Sequence, residues 1–285
     1  MSYTQLTPAQ KWEQLTFADD FIFYKVLEKN LDFTQELLEL LLDIKIDHIE
    51  LSTAQKDCKV DYFSKGARFD VYVKDGTGRC FDIELQTSHF SDLAKRARYY
   101  QGVMDIDTLN AGDDYKNLKE SYVVFLCLGD SIGNGLPVYT FRYRADEDTN
   151  MLLNDGTVNI FFNAKLYDKM KSQKMRSFFE FLCSQKADSA FTDRLAVLVE
   201  RIKSTPQERK DYMMFEEIVQ KRLEKNLEEI GEKRHEEGIE EGEQRKAIET
   251  AKNMFELNLT PEQIAECTGL PLEQVLELQK AVVTR

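Results

Sequence analysis

Two short strands of alternating polarity, joined by Lys74-Asp75-Gly76-Thr77-Gly78-Arg79, constrain this chain more than any other part of it. In the first strand Phe69, Val71 and Val73 alternate with Asp70 and Tyr72. In the second, Phe81, Ile83 and Leu85 alternate with Cys80, Asp82, Glu84 and Gln86. A period of two gives each strand one apolar face, and both apolar sets must lie on the same side of a sheet. With Val71 opposite Ile83, Asp70 faces Glu84 and the loop is Gly76-Thr77-Gly78. Gly at the third loop position suits a three-residue hairpin closed by a G1 bulge. Directly opposed residues hold their Cβ atoms about 4.5–5.5 Å apart, so Asp70 and Glu84 repel unless something positive lies between them. One outcome is a polar face turned to water. The other is a divalent cation held by Asp70, Glu84 and the backbone carbonyl of Leu85, which would polarise a phosphodiester and lower the pKa of bound water. Gln86 lies two residues on, on the face of Glu84.

Around this hairpin the periodicity is mixed. Phe17 to Leu42 reads as two short helices, with Leu37, Leu38, Leu41 and Leu42 at helical spacing in the second. From about Ile44 to Phe162 β-type segments dominate, clearest at Arg68–Lys74, Arg79–Gln86, Tyr122–Leu128 and Pro137–Arg144. A helical stretch, Phe90 to Asp105, interrupts them. Residues 165–205 read as two packed helices. Residues 216–250 are a highly charged helical run in which Gly231, Gly238 and Gly242 are expected to bend or fray the helix, each costing about 1 kcal/mol relative to Ala. Thr260-Pro261-Glu262-Gln263 starts a final helix pair that turns at Gly269-Leu270-Pro271. The expected organisation is a core over 1–165, a helical extension over 166–205, and a charged helical tail over 206–285.

Composition removes several kinds of chemistry. Five scattered cysteines without a CxxC pair make neither a disulfide framework nor a thiolate zinc site, and three histidines supply no HExxH motif. A metal site must therefore use oxygen ligands, which suits Mg²⁺ or Mn²⁺. No apolar run is long enough for a membrane span, and Met1 to Trp12 lacks a signal pattern, so a cytoplasmic protein is expected. The net charge of −13 argues against coating nucleic acid through bulk charge. Its distribution is uneven: residues 206–285 hold 19 acidic and 12 basic residues, whereas 59–101 hold 8 basic and 6 acidic.

Asp70 followed by Glu84-Leu85-Gln86 resembles the D…(D/E)-x-K signature of the PD-(D/E)XK nucleases. The flanking text resembles the Rpn-type recombination-promoting nucleases, also called PD-(D/E)XK nuclease family transposases. The pieces that carry the likeness are Arg68-Phe69-Asp70-Val71, Ile83-Glu84-Leu85-Gln86, Arg96-Ala97-Arg98-Tyr99-Tyr100-Gln101 and Val123-Val124-Phe125-Leu126-Cys127. The resemblance implies an α/β fold: a restriction-endonuclease-like core, its central mixed sheet flanked by helices, with an α-helical C-terminal extension. It also implies Mg²⁺- or Mn²⁺-dependent cleavage of DNA in recombination or on mobile or foreign DNA. Asp70 and Glu84 would be metal ligands, with Gln86 in the third catalytic position. Gln86 stands where the superfamily usually has Lys, and an amide only hydrogen-bonds where an ammonium supplies charge. Lys95, Arg96 or Arg98 on the following helix is a candidate substitute cation. A non-catalytic nuclease fold acting as a DNA-binding or oligomerising adaptor is the alternative.

The remaining signals are weighed against plain structural roles. Lys65, Arg68, Lys95, Arg96, Arg98 and Tyr100 are candidate DNA contacts, through phosphate pairing or base stacking; an amphipathic helix packing its tyrosines on the sheet is the alternative for the last four. Gly129 to Gly135 matches no phosphate-binding motif and reads as a hairpin loop. Asp20, Glu28 and Glu36 read as solvated-face residues of the early helices rather than as further ligands. The terminal helix pair resembles a helix-turn-helix, but Pro271 to Gln279 carries no Lys or Arg, so packing or homo-oligomerisation is expected of it.

Overall fold

A computed structural model describes residues 6–51, 57–58, 67–68, 70–88, 92–257 and 259–283. Three helices open the chain: α1 (Pro8–Gln14), α2 (Asp20–Lys29) and α3 (Leu31–Leu42). Sequence periodicity points to two, because α1 is too short to show a period. Its signal is the cap: Thr7 and Gln10 form a capping box with Pro8 at the first helical position.

The strands are β1 (Ile49–Leu51), β2 (Asp57–Cys58), β3 (Ala67–Arg68), β4 (Val71–Asp75), β5 (Cys80–Gln86), β6 (Ser121–Cys127), β7 (Val138–Phe141) and β8 (Thr157–Asn163), with α4 (Leu93–Thr108) between β5 and β6. Six form one mixed sheet in the order β1-β4-β5-β6-β8-β7, and β2 pairs with β3 separately. β5, β6 and β8 run parallel, flanked by antiparallel neighbours. The mixed sheet flanked by helices is the architecture expected of a PD-(D/E)XK core. The Gly129–Gly135 loop is not a hairpin loop, because β8 lies between β6 and β7. Its shape comes instead from Asp130, which accepts hydrogen bonds from the amides of Ile132, Gly133 and Gly135 and from the Tyr139 hydroxyl.

In the β4–β5 hairpin Val71 pairs with Ile83 and Lys74 with Cys80. The Asp75 amide donates to the Arg79 carbonyl at 3.0 Å, and the Gly78 amide to the Asp75 carbonyl at 2.9 Å. Gly78 sits at φ +89°, a left-handed conformation that glycine adopts without strain. Gly76 lets the His48 ring lie close against the turn: a Cβ there would come within 2.3 Å of the ring and displace it.

Register divides the sheet into two faces. Ile83, Val124 and Ile160 share one row, and Leu85, Leu126 and Phe162 the next. This face is covered by helices α5 (Gln173–Ser184) and α6 (Ala190–Ser204) together with the early helices. Phe162 stacks on Phe179 at 5.1 Å, and Phe17 meets Phe178 at 6.2 Å. Each such side chain contributes about 1.5–3 kcal/mol on burial. The other face carries Tyr72, Asp82, Glu84, Gln86, Val123, Phe125 and Phe161, and α4 covers it with Leu93, Ala97, Tyr100, Val103 and Met104. That face is buried, not turned to water.

The chain separates into two compact units, 1–213 and 214–285. Helix α7 (Pro206–Glu256) belongs to both and is uninterrupted at its three glycines. Their cost is spread over 51 residues, supported by pairs such as Lys221 with Glu217 at 2.7 Å. In the first unit Tyr212 packs on Trp12 at 5.3 Å, and buried Glu208 pairs with Lys25 at 3.1 Å. In the second unit α8 (Pro261–Thr268) and α9 (Leu272–Val283) pack with the end of α7 through Ala251, Ile264, Leu270 and Val275. Among the described residues, no helix is long and apolar enough to cross a membrane.

Candidate active site

Asp70 lies immediately before β4, one step beyond the Val71–Ile83 pair, and so beside Glu84. The Asp70 amide donates to Glu84 Oε1 at 3.0 Å, and the Leu85 amide donates to Asp70 Oδ2 at 3.1 Å. The N–H and C=O of one strand residue point to the same side, so the Leu85 carbonyl is directed to the edge where Asp70 sits. The backbone of each strand thus holds the carboxylate of the other.

The cation on this face comes from α4. Arg96 donates from Nη2 to Glu84 Oε2 at 3.0 Å and to the Tyr100 hydroxyl at 3.2 Å, and from Nη1 to Gln86 Oε1 at 2.9 Å. Its guanidinium lies over the rings of Tyr100 and Phe125, 5.5 and 5.6 Å from their centroids. Gln86 Nε2 donates to the Ser88 carbonyl at 2.7 Å, which fixes both ends of its amide. Tyr100 is buried, while Lys95, Arg98 and Tyr99 are exposed. Lys65 lies outside the described residues, and Arg68 enters the description only as backbone in β3. Glu36 is engaged with Lys174 and Arg194.

Asp82 is the residue that sequence reasoning passed over. It is fully buried, and among the described residues no N–H or O–H of an ordinary donor reaches either carboxylate oxygen; its polar neighbour is Glu84, with which it hydrogen-bonds when one of the two acids is protonated. Burial, then the charges of Glu84 and Asp70, push its carboxyl well above the usual carboxylate range. Glu84, only 2% exposed, is pushed up to about 8, first by burial and then by Asp70; the Asp70 amide and Arg96 oppose the shift. The signal was present in the sequence, since Asp82, Glu84 and Gln86 share one face. Its meaning was not, because α4 had to be placed over them.

Among the described residues no three carboxylate, histidine or cysteine side chains stand already converged as a metal cage. The donor set nevertheless fits a hard divalent cation. Every candidate ligand is an oxygen, and three acidic groups face one guanidinium, leaving two negative charges uncompensated when all are ionised. Asp82, a member of that cluster to which no N–H of the described residues donates, is where the deficit falls.

The model of the PD-(D/E)XK nuclease family transposases matches residues 18–236. The chain belongs to this family. No curated protein and no solved structure matches it. The matched span contains the whole sheet, α4 and the Asp70–Glu84 cluster.

Proposed function

We propose that this protein is a divalent-metal-dependent DNA endonuclease that hydrolyses phosphodiester bonds in recombination or on mobile or foreign DNA in the cytoplasm. The observation that carries the reading is the cross-bonded Asp70–Glu84 pair, bracketed by Arg96, in a chain of this family. Asp70, Glu84 and the Leu85 carbonyl would hold Mg²⁺ or Mn²⁺, which when bound polarises the scissile phosphate and acidifies a water. Gln86, fixed by Arg96 and Ser88, keeps an acceptor lone pair with which to orient the attacking water. Arg96 takes the place of the missing lysine: it is always charged and already hydrogen-bonded to both Glu84 and Gln86. Lys65, Arg68, Lys95 and Arg98 are assigned to phosphates, and Tyr100 to holding Arg96 rather than to stacking on bases.

Plasmid nicking tests the proposal. Purified protein with Mg²⁺ or Mn²⁺ should nick supercoiled DNA, and Asp70→Ala should abolish this without loss of folding; equal activity of the two proteins sinks it. The second reading, a catalytically silent adaptor, is favoured by the same Arg96 contact, because a guanidinium already occupies the Glu84 oxygen that a metal would use. Calorimetry with Mn²⁺ separates the two: binding that requires Asp70 and Glu84 supports the nuclease, and its absence supports the adaptor. Self-association through α8 and α9 belongs to the same proposal, supported by exposed Leu272 and Leu276 and tested by sedimentation.

A further inference from the structure

A second concavity opens on the same face of the sheet, on the far side of β6 and β8 from Glu84. It lies between α4 and β7, with a volume of about 330 Å³, within the range of small-ligand sites (roughly 300–1,000 Å³). Its walls combine two unlike chemistries. Phe141 and Tyr143 are 47% and 55% exposed, large aromatics left open on one side. Arg98 of α4 and Arg142 flank them, both exposed and neither with an ion-pair or hydrogen-bond partner among the described residues. In a chain with 51 acidic residues against 38 basic, two arginines without acidic partners beside two open aromatics form a site for an anion that also carries flat rings.

The groove is tied to the carboxylate cluster by register. Glu84, Phe125, Phe161 and Tyr139 form one cross-sheet row, and Asp82, Val123, Asn159 and Phe141 the next. Phe125 and Phe161 stack at 5.2 Å with rings 2° apart, and Phe141 meets Phe161 edge-on at 5.7 Å. Three strand spacings, about 15 Å, separate β7 from β5. At the groove floor Asn159 accepts from Gln101 through Oδ1, so its amide nitrogen is the end left without a partner among the described residues.

We infer that this groove binds an unpaired stretch of nucleic acid, with a base on Phe141 or Tyr143 and its phosphates on Arg98 and Arg142, beside the scissile phosphate at Glu84. Stacking on aromatics needs a base outside a duplex, whereas arginine–phosphate pairing does not. The substrate class is therefore DNA with a single-stranded segment next to the cut: a flap, a bubble or a melted end. The inference rests on the nuclease reading above and extends it to the form of the DNA.

Binding measured in EDTA tests the groove without cleavage. Fluorescence anisotropy would use a labelled oligothymidylate of about 15 nucleotides and a blunt two-strand duplex of similar length without unpaired bases. Wild type is expected to bind the single strand more tightly, and Phe141→Ala/Tyr143→Ala to weaken that binding at least about tenfold while leaving the duplex within about twofold. Phe141→Trp should retain binding. Arg98→Ala and Arg142→Ala should each lower the salt dependence of single-strand affinity by about 0.7 in log–log slope, a change that loss of folding would not produce. Equal binding of single strand and duplex, or aromatic variants that bind as wild type, overturns the groove even if Asp70→Ala abolishes nicking. Groove-dependent binding upholds it even if no nicking is found and the nuclease reading falls. A double aromatic variant that changes sedimentation but not oligonucleotide binding assigns the groove to a second copy of the chain and overturns the inference.

Discussion

The two faces of the central sheet are built from the same strands and do opposite things. Beneath α5 the side chains are aliphatic or aromatic, stacked as Phe162 on Phe179. Beneath α4 two acids and an amide, Asp82, Glu84 and Gln86, are buried in the middle of an otherwise apolar cluster. Hydrophobic burial alone would favour valine or leucine at these positions, since an uncompensated buried charge costs several kcal/mol. The apolar face supplies the stability that lets the other face keep groups unfavourable to folding.

The comparison can be broken in descending order of effect. Asp70→Ala should slow DNA nicking by roughly 10³-fold or more, with a melting temperature within about 3 °C of wild type. Phe179→Ala, on the apolar face, should lose about 3–5 kcal/mol of stability by urea titration while its folded fraction nicks DNA normally. An activity defect in a still-stable Phe179→Ala protein would erase the distinction. Arg96→Ala leaves Glu84 buried without its cation and should cost about 3 kcal/mol. The loss should be greater at pH 8 than at pH 5.5, because protonated Glu84 needs no counter-charge.

The pH dependence of the metal-free protein follows in size. Buried Glu84, pushed up to about 8 against a usual value of 4.5, and its neighbour Asp82, also raised well above the usual range, keep protons in the native state that the unfolded chain has released. Stability is full below about pH 4.5 and falls as pH rises through 8. Thermal melts should drop by roughly 5 °C between pH 5.5 and 8.5. Glu84→Gln should flatten that slope, and Mn²⁺ should oppose the loss at the alkaline end. An unchanged slope in the variant would place the burden on other groups. The smallest effect concerns Gln86→Lys, which restores the usual lysine but sets it against Arg96. Nicking should fall by about tenfold or less, and the added change Arg96→Gln should recover it; a faster single variant would show that Arg96 does not stand in for lysine.

What could be read from the sequence divides along the same lines. The hairpin register, its glycine loop and the opposition of Asp70 to Glu84 follow from local alternation and turn chemistry, and the observed Val71–Ile83 pairing agrees. α4 was legible as a helix from its polarity. The insertion of β8 between β6 and β7 was not, because parallel pairing between residues 121 and 157 leaves no short-range mark. The burial of Asp82 was hidden for a similar reason: alternation tells which residues share a face, not whether a helix will cover it. The α1 cap at Thr7 was legible and needed only the rule that identifies Thr260.

The contacts of the carboxylate cluster differ from those of the apolar face in how far they reach along the chain. Its hydrogen bonds join residues 2 to 15 positions apart, from Gln86–Ser88 to Asp70–Leu85. On the apolar side Phe17 waits for Phe178, and Phe33 for Phe191. Short loops close at low entropic cost, each doubling adding only about 0.6 kcal/mol. The reactive groups therefore belong to one contiguous stretch of chain, Asp70 to Tyr100. The site's own contacts close within thirty-one consecutive residues, whereas the apolar side must bring together segments from both ends of the first unit.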